Sequence, residues 1–291
     1  MIVVTTPTGS IGHQLTGRLL DAGEPVRVIV RDPARLTPRV RERAEVVAGS
    51  HDDQAVIGPA LTGADALFWL VPGNPRAASA TDLYLDFTRP ACAAITAAGV
   101  PRVVAVSTLG RGIVKNGGPL SAALAMDELI EGTGVHYRSL SMPFFMENFL
   151  YQVAPIREHG VFFLPAIAGR ALATVATRDI AQVAAGLLTG RSWTGQEDVP
   201  VVGPDDLSPD QMAAVMSEVL GRPVSAEQVP LERYRASMLE RGMSEGWAQE
   251  MVDMAEAQNT HGVYDLPPGT PRTPTGFRKW CQEVLKPAVE S

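Results

Sequence analysis

The residues best placed for chemistry come first in the chain: Thr6, Gly9 and Gly12, in the run MIVVTTPTGSIGHQLTGRLLDAGEPVRVIVRD. An apolar strand, Ile2 to Val4, leads into a Thr/Pro/Gly loop that ends at Gly12. A helix follows, with Leu15, Leu19 and Leu20 on one face and Gly23 as its stop. A second strand, Val26 to Val30, ends on Arg31. A phosphate needs this loop chemistry. Glycine lets the backbone approach a pyrophosphate and lets helix pack on strand, and the free N–H groups at the helix start favour negative charge. Gly9 and Gly12 fill two of the three glycine positions of such a loop, and Thr6 stands at the first. Strand, glycine loop, helix, strand is the first half of a dinucleotide-binding βαβ unit.

Arg31 separates the two nicotinamide nucleotides. A site for NAD(H) wants a carboxylate at the end of the second strand to bind the ribose 2′-hydroxyl. Arginine there pairs instead with a 2′-phosphate, and Arg35, one turn on, is placed to assist. NADP(H) is therefore favoured over NAD(H).

On the substrate side, PFFMENF sets three phenylalanines and Met142 and Met146 around Glu147 and Asn148. A later stretch adds Met238, Met243, Trp247, Met251 and Met254. Aromatic and methionine side chains offer adaptable apolar surface for a flat ligand, and few fixed charges accompany them. A small hydrophobic substrate is expected, and a phosphorylated or sugar-acid one less so.

The elements that must hold these residues alternate regularly. Strands are expected at Ala44 to Val47, Ala64 to Val71, Arg102 to Val106 and Val135 to Leu140, with helices around Ala55 to Leu61, Asp82 to Ala98 and Ser121 to Glu131. This order predicts an α/β fold, a doubly wound parallel (Rossmann) sheet with ligands at the carboxyl ends of the strands. Residues 1–150 form the expected nucleotide domain. Residues 151–291 form a smaller, mostly helical lobe, some segments of which return to the core. Short strands are expected at Val161 to Leu164 and Ala171 to Val175. Helices are expected at Arg178 to Leu188, Ser208 to Leu220, Pro230 to Arg241, Ser244 to Gln258 and Phe277 to Leu285.

Composition narrows the partners. A net charge of −7 argues against a general nucleic-acid binder. Cys92 and Cys281 make no disulfide framework and lack metal-ligand spacing, and the histidines are scattered, so no metal is expected. No apolar run approaches membrane length, and no leader precedes the first strand, so a cytoplasmic protein without membrane contact is expected, with a homodimer left open.

These residues resemble the NmrA-like family of atypical short-chain dehydrogenase/reductase folds. The shared features are TTPTGSIG, VRVIVRDPARL, TGVHYRSLSMPFFMENFL, ATRDIAQVAAGLLTG and VVGPDDLSPDQMAAVMSEVLGRPV, in order over nearly the whole chain. The resemblance implies either an NADPH-dependent reductase of quinone, enone or aromatic carbonyl compounds, or a dinucleotide-binding redox sensor. It implies that Thr6, Thr8, Gly9, Ser10, Ile11 and Gly12 line the pyrophosphate and Arg31 the 2′-phosphate. Relatives often carry an aspartate beside the adenine where this chain has Gly49, Ser50 and His51. Val71, Pro72 and Gly73 would follow the ribose and nicotinamide, with Ser107 beside the nicotinamide and Thr108, Leu109 and Gly110 as a substrate loop. Pro143, Phe144, Phe145, Glu147 and Asn148 would form the far wall.

The departures concern the proton. Ordinary members of the wider fold use a Tyr-x-x-x-Lys pair, and none of the five tyrosines here has a lysine four residues on. Relatives often place a lysine four residues before an acidic residue in the helix after Ser107; Asp127 fits the acid, and Ala123 stands where the lysine would be. Lys115 is the only one of three lysines near the expected site. Ser107, Lys115 and Tyr137 are thus the catalytic candidates, with His136, water or the substrate itself as other proton sources. A cofactor-independent rearrangement on the same fold is the third reading.

Overall fold

The computed structural model describes residues 1–167, 169–260 and 262–291. Its elements in order are β1 (Ile2–Thr5), α1 (Ser10–Asp21), β2 (Val26–Val30), α2 (Pro38–Arg43), β3 (Glu45–Ala48), α3 (Gln54–Ala60), β4 (Ala66–Trp69), α4 (Ala80–Ala98), β5 (Arg102–Thr108), α5 (Pro119–Glu131) and β6 (His136–Met142). There follow β7 (Phe144–Phe145), α6 (Val153–His159), β8 (Val161–Leu164), β9 (Leu172–Val175), α7 (Thr177–Thr189), β10 (Gln196–Pro200), β11 (Asp206–Leu207), α8 (Pro209–Leu220), β12 (Ser225–Gln228), α9 (Leu231–Glu240) and α10 (Glu245–Thr260). A last helical segment runs through Phe277–Trp280, one π turn at Cys281–Leu285, and Lys286–Glu290.

Seven strands form one parallel sheet in the order β10-β6-β5-β4-β1-β2-β3. The order reverses between β1 and β4, whose register pairs Ile2 with Ala66. Ligands of such sheets bind in the crevice outside that reversal. Alternation within the apolar strands sends side chains to both faces. Val4, Val28, Phe68, Val104 and Leu140 meet α1 and α7 through Leu15, Leu19, Ile180 and Ala184. Val3, Ile29, Leu67, Trp69, Val103 and Tyr137 meet α3, α4 and α5 through Ile57, Ala91, Ile95 and Met126. Truncating a wholly buried residue such as Leu15 to alanine would cost about 2–5 kcal/mol.

The later half of the chain builds two things. Helix α7 packs beside α1, and β10 extends the main sheet beyond β6, with Gln196 opposite Tyr137. The polar stretch QEDVP gave no strand signal, and as an edge strand it needs none on its open side. The rest forms a lobe centred on Phe149, whose ring meets Phe144, Phe162 and Phe277 edge-on at 5.6, 5.1 and 5.6 Å. Its helices are joined by two small sheets, β11-β9-β7 and β12-β8. Helix α8 begins with a capping box between Ser208 and Gln211 and stops at Gly221 in the left-handed conformation. Among the described residues no helix is long and apolar enough to cross a membrane.

Candidate active site

The phosphate loop starts where β1 ends. Thr5 Oγ1 donates to the Phe68 carbonyl at 3.1 Å and accepts from the Leu70 N–H at 3.0 Å, tying the two strands at the reversal. The chain then turns at Thr6 with φ of 49°, the left-handed region that favours glycine. Gly9 N–H closes the turn onto the Thr6 carbonyl at 3.1 Å. Gly9 is extended and caps α1 without a side chain, so the first N–H groups of the helix, at Ser10, Ile11 and Gly12, have no intrahelical acceptor. The Thr6 hydroxyl is buried and has no hydrogen-bond partner among the described residues. A Cβ on Gly12 would fall 2.1 Å from the Thr6 oxygen, so helix and loop touch through backbone. Uncapped N–H groups, an orphaned hydroxyl and a glycine contact suit a pyrophosphate.

Along the crevice from this loop, Arg31 and Arg35 are exposed and form no ion pair among the described residues. Asp32 forms no ion pair with either; its carboxylate accepts from Ala34 N–H at 3.0 Å and caps the turn Pro33–Arg35. Ser50, expected beside the adenine, is half-buried. His51 turns inward instead: its Nε2 lies 3.1 Å from the Leu70 carbonyl, and its ring meets Trp69 and Phe87 edge-on at 5.1 and 5.0 Å. Burial lowers its pKa to about 4 against the pull of the Leu70 carbonyl and Asp52, with a small further push from Arg31. His51 is thus neutral, with Nε2–H donating to Leu70. Val71 is buried, Pro72 half-buried and Gly73 to Arg76 exposed.

At the other end of the crevice, Ser107 Oγ donates to Asp127 Oδ2 at 2.6 Å. Asp127 lies on the apolar face of α5 among Ala123, Met126 and Ile130, and is fully buried. It also accepts from Tyr137 OH at 2.6 Å, Ser139 Oγ at 2.9 Å and Arg111 Nη2 at 3.0 Å. Desolvation raises its pKa from 3.8 to about 6, held back by the hydroxyls of Ser107, Tyr137 and Ser139 and by Arg111. A carboxylate on the apolar face of a helix needs such partners, and that mismatch was the available sequence signal.

The other catalytic candidates separate. Tyr137 is fully buried, and burial and the Asp127 charge raise its pKa well above the usual range. It reaches the crevice only through Asp127 and Ser107, so the direct proton donation expected of it does not fit. Lys115 is exposed and has no partner among the described residues. His136 sits at the amino end of β6, where its Nδ1 accepts from Gly195 N–H at 3.1 Å, far along the strand from the crevice.

The substrate wall departs from expectation at Met146 and at Glu147. Pro143 is buried, and Phe144 and Phe145 form β7 against β9. Asn148 is half-buried, but Met146 is 0% exposed inside the lobe core and presents no surface. Glu147 accepts from Thr177 N–H and Trp280 Nε1, a structural bond set. Thr108 Oγ1 donates to the Leu109 carbonyl, and Leu109 packs with Ala173 and Val202. Helix α10 covers the loops after β4 and β5: Trp247 packs on Ala80 and Ala122 with Met251 beside it, and its ring would lie 4.0 Å from a Cβ on Gly73. Among the described residues no group of three His, Cys, Asp or Glu could hold a metal ion.

Residues 1–282 match the family described as NmrA-like. The chain belongs to the NmrA-like family. Two relatives of this NmrA-like chain are a (4-alkanoyl-5-oxo-2,5-dihydrofuran-3-yl)methyl phosphate reductase from Streptomyces griseus subsp. griseus and an NAD(P)H azoreductase from Xenophilus azovorans. The first is 34% identical and the second 30%, covering 97% and 92% of both chains respectively. An NADPH-dependent quinone oxidoreductase from Escherichia coli, solved with NADPH, is 22% identical and superposes with a TM-score of 0.79 over 100% of this chain and 99% of that one. At that identity the likeness is one of fold. In the NmrA-like frame, the buried partner of Ser107 is Asp127, and no Tyr-x-x-x-Lys pair stands beside it.

Proposed function

We propose that this chain is an NADPH-dependent reductase of planar, hydrophobic quinone, enone or aromatic carbonyl compounds. The observation that carries the reading is the set of groups left unsatisfied among the described residues at the carboxyl ends of the neighbouring strands β1 and β2: the uncapped α1 N-terminus, the orphaned Thr6 hydroxyl and the guanidinium of Arg31. All three are suited to the phosphates of one NADPH. The relatives named as reductases support the chemistry, and the dihydrofuranone in one relative's name carries a ring alkene conjugated to a carbonyl, an enone-type acceptor.

When bound, the nicotinamide supplies a hydride. The chain's own part is to hold and shield. Thr6, Thr8, Gly9, Ser10, Ile11 and Gly12 grip the pyrophosphate, Arg31 and Arg35 the 2′-phosphate, and Ser50 borders the adenine. Val71, Pro72, Pro143 and Phe144 flank the ribose and nicotinamide. Thr108, Leu109, Phe145, Asn148, Trp247 and Met251 exclude water around the substrate, and the mobile proton is held at Ser107.

Titration of the purified chain with NADPH and with NADH tests binding, and loss of nicotinamide absorbance with quinones and enones tests turnover. NADPH binding in the micromolar range with turnover of one such class is expected. No binding of either nucleotide would end the reading. Binding without turnover, with an NADPH-dependent change in oligomeric state, would replace it by a redox sensor.

A further inference from the structure

Asp127 collects donors from three elements around α5: Ser107 on β5, Tyr137 and Ser139 on β6, and Arg111 on the loop after β5. Burying a carboxylate is expensive, and stability alone is often served as well by apolar packing. Within the cluster, Tyr137 and Ser139 are both 0% exposed, whereas Ser107 keeps 8% exposure at the carboxyl end of β5, level with Ser141. Ser107 is therefore the hydroxyl of the three that meets the crevice, and its single proton points away from it. Arg111 has two further partners, Glu131 at 3.0 Å and Asp198 at 2.7 Å, so it stays paired whatever the charge on Asp127. Tyr84, half-buried on α4 and with its pKa raised by desolvation and by the Asp127 charge, is the remaining titratable group that senses Asp127.

We propose that Asp127 is a positioning residue that sets the direction of the Ser107 hydroxyl and, when protonated, feeds a proton through it to the reduced substrate. The inference rests on the reductase reading above. Ionised Asp127 holds the Ser107 proton, and Ser107 offers only lone pairs to the crevice. Protonated Asp127 donates to Ser107 Oγ instead, and the Ser107 hydrogen swings toward the substrate. Hydride from the nicotinamide leaves an electron pair on the substrate oxygen. That oxygen takes the Ser107 proton, Oγ takes the Asp127 proton, and the carboxylate that remains is met by Tyr137, Ser139 and Arg111, already in place. Solvent then returns one proton, so each turnover consumes one hydride and one proton. The raised proton affinity of Asp127 keeps its protonated form accessible near neutral pH.

Two measurements on the full chain test this, one without substrate. In the apo protein, carbonyl-13C aspartate NMR should show one carboxyl titrating near pH 6 that disappears in Asp127→Asn and moves upward in Ser107→Ala, which removes a donor to the charged form. An unmoved midpoint in Ser107→Ala overturns the coupling, whatever the protein turns over. In the holoenzyme with a quinone or enone that wild type reduces, kcat should fall as pH rises through that midpoint. Asp127→Asn and Ser107→Ala should both be flat with pH and lowered about 10²-fold or more, with no further loss in the double variant. NADPH affinity should stay within about threefold in both, less than a pairing contact is worth. Should Asp127→Asn fail to fold, Ser107→Ala carries both arms alone. A wild-type pH profile retained in either variant overturns the relay alone, and absence of turnover by wild type at every pH overturns the reductase reading and the relay together.

Discussion

A Cβ added to Gly12 would meet the backbone oxygen of Thr6 at 2.1 Å and its carbonyl carbon at 2.8 Å. Neither atom can move away as a flexible side chain would. Gly12→Ala must therefore push α1 off the loop, at a cost of about 1–3 kcal/mol in overpacking, and should abolish measurable NADPH binding by titration. Thr6→Gly acts oppositely. It relieves a β-branched residue at φ of 49°, worth about 1–2 kcal/mol, and gives back about 0.5–1 kcal/mol in unfolded-state entropy. Its Tm should hold or rise while the NADPH Kd climbs about tenfold through loss of the orphaned hydroxyl, a contact worth about 1.4 kcal/mol. An unchanged Kd would show that Thr6 does not touch the phosphate.

Among the described residues Arg31 has no ion-pair partner to lose, so its replacement reads the ligand. Arg31→Glu should weaken NADPH by about ten- to a hundredfold, the worth of a charge-assisted bond of about 1.5–3 kcal/mol, and leave NADH nearly unaffected. Equal losses for both nucleotides in parallel fluorescence titrations would remove the 2′-phosphate assignment.

His51 and Asp127 shift in opposite senses and should hide one another. The unfolded chain protonates His51 below its ordinary value of 6.5, but the folded one only below about 4. Stability from His51 is therefore full above 6.5 and lost as pH falls through that window, about 3 kcal/mol in all. Folded Asp127 binds its proton below about 6 and unfolded Asp127 only below 3.8, so its stability contribution is full at low pH and lost as pH rises, again about 3 kcal/mol. Urea unfolding of wild type between pH 4 and 6 should be nearly level from these two groups. His51→Gln, relative to wild type, should lose stability with rising pH, and Asp127→Asn should gain it. The same slope in all three proteins would refute both assignments.

What the sequence made legible follows from burial. Strands β1, β2, β4 and β5 lie inside a sheet covered on both faces, so their apolar runs announce them, and the glycine loop is fixed by its place between strand and helix. Strand β10 was silent because an edge strand needs no apolar run. Met146 read as a wall because methionine beside phenylalanine suits a flat ligand as well as a core, and only the turn after β7 decides that it points inward. Asp127 was visible as an acid on a helix, but its four donors come from positions 107, 111, 137 and 139, a convergence that no local pattern carries. His51 shows in the sequence only as an aspartate that is missing, since its acceptor at Leu70 lies beyond the end of β4.

Helix α10 is the piece whose docking should set substrate affinity apart from cofactor affinity. Its start is tied to the segment after β4: Ser244 N–H donates to the Pro75 carbonyl at 2.9 Å, Ser244 Oγ donates to Ala77, and Glu250 Oε2 accepts from Ala80 N–H at 2.5 Å. Between these ties, a Cβ on Gly246 would fall 1.8 Å from the Ala78 oxygen. Gly246→Ala should lift α10, and Trp247 with it, away from Gly73 at a stability cost of about 1–3 kcal/mol. The pyrophosphate loop and Arg31 lie on other elements, so the NADPH Kd should change by less than about threefold while the KM for a quinone rises about tenfold, about 1.4 kcal/mol of lost contact. Ser244→Ala removes two hydrogen bonds of about 0.5–1.5 kcal/mol each, the one Oγ donates to Ala77 and the one it accepts from Trp247 N–H, without adding bulk, and should shift KM in the same direction. A lowered Tm with KM unchanged in both variants would mean that α10 braces the fold and does not border the substrate.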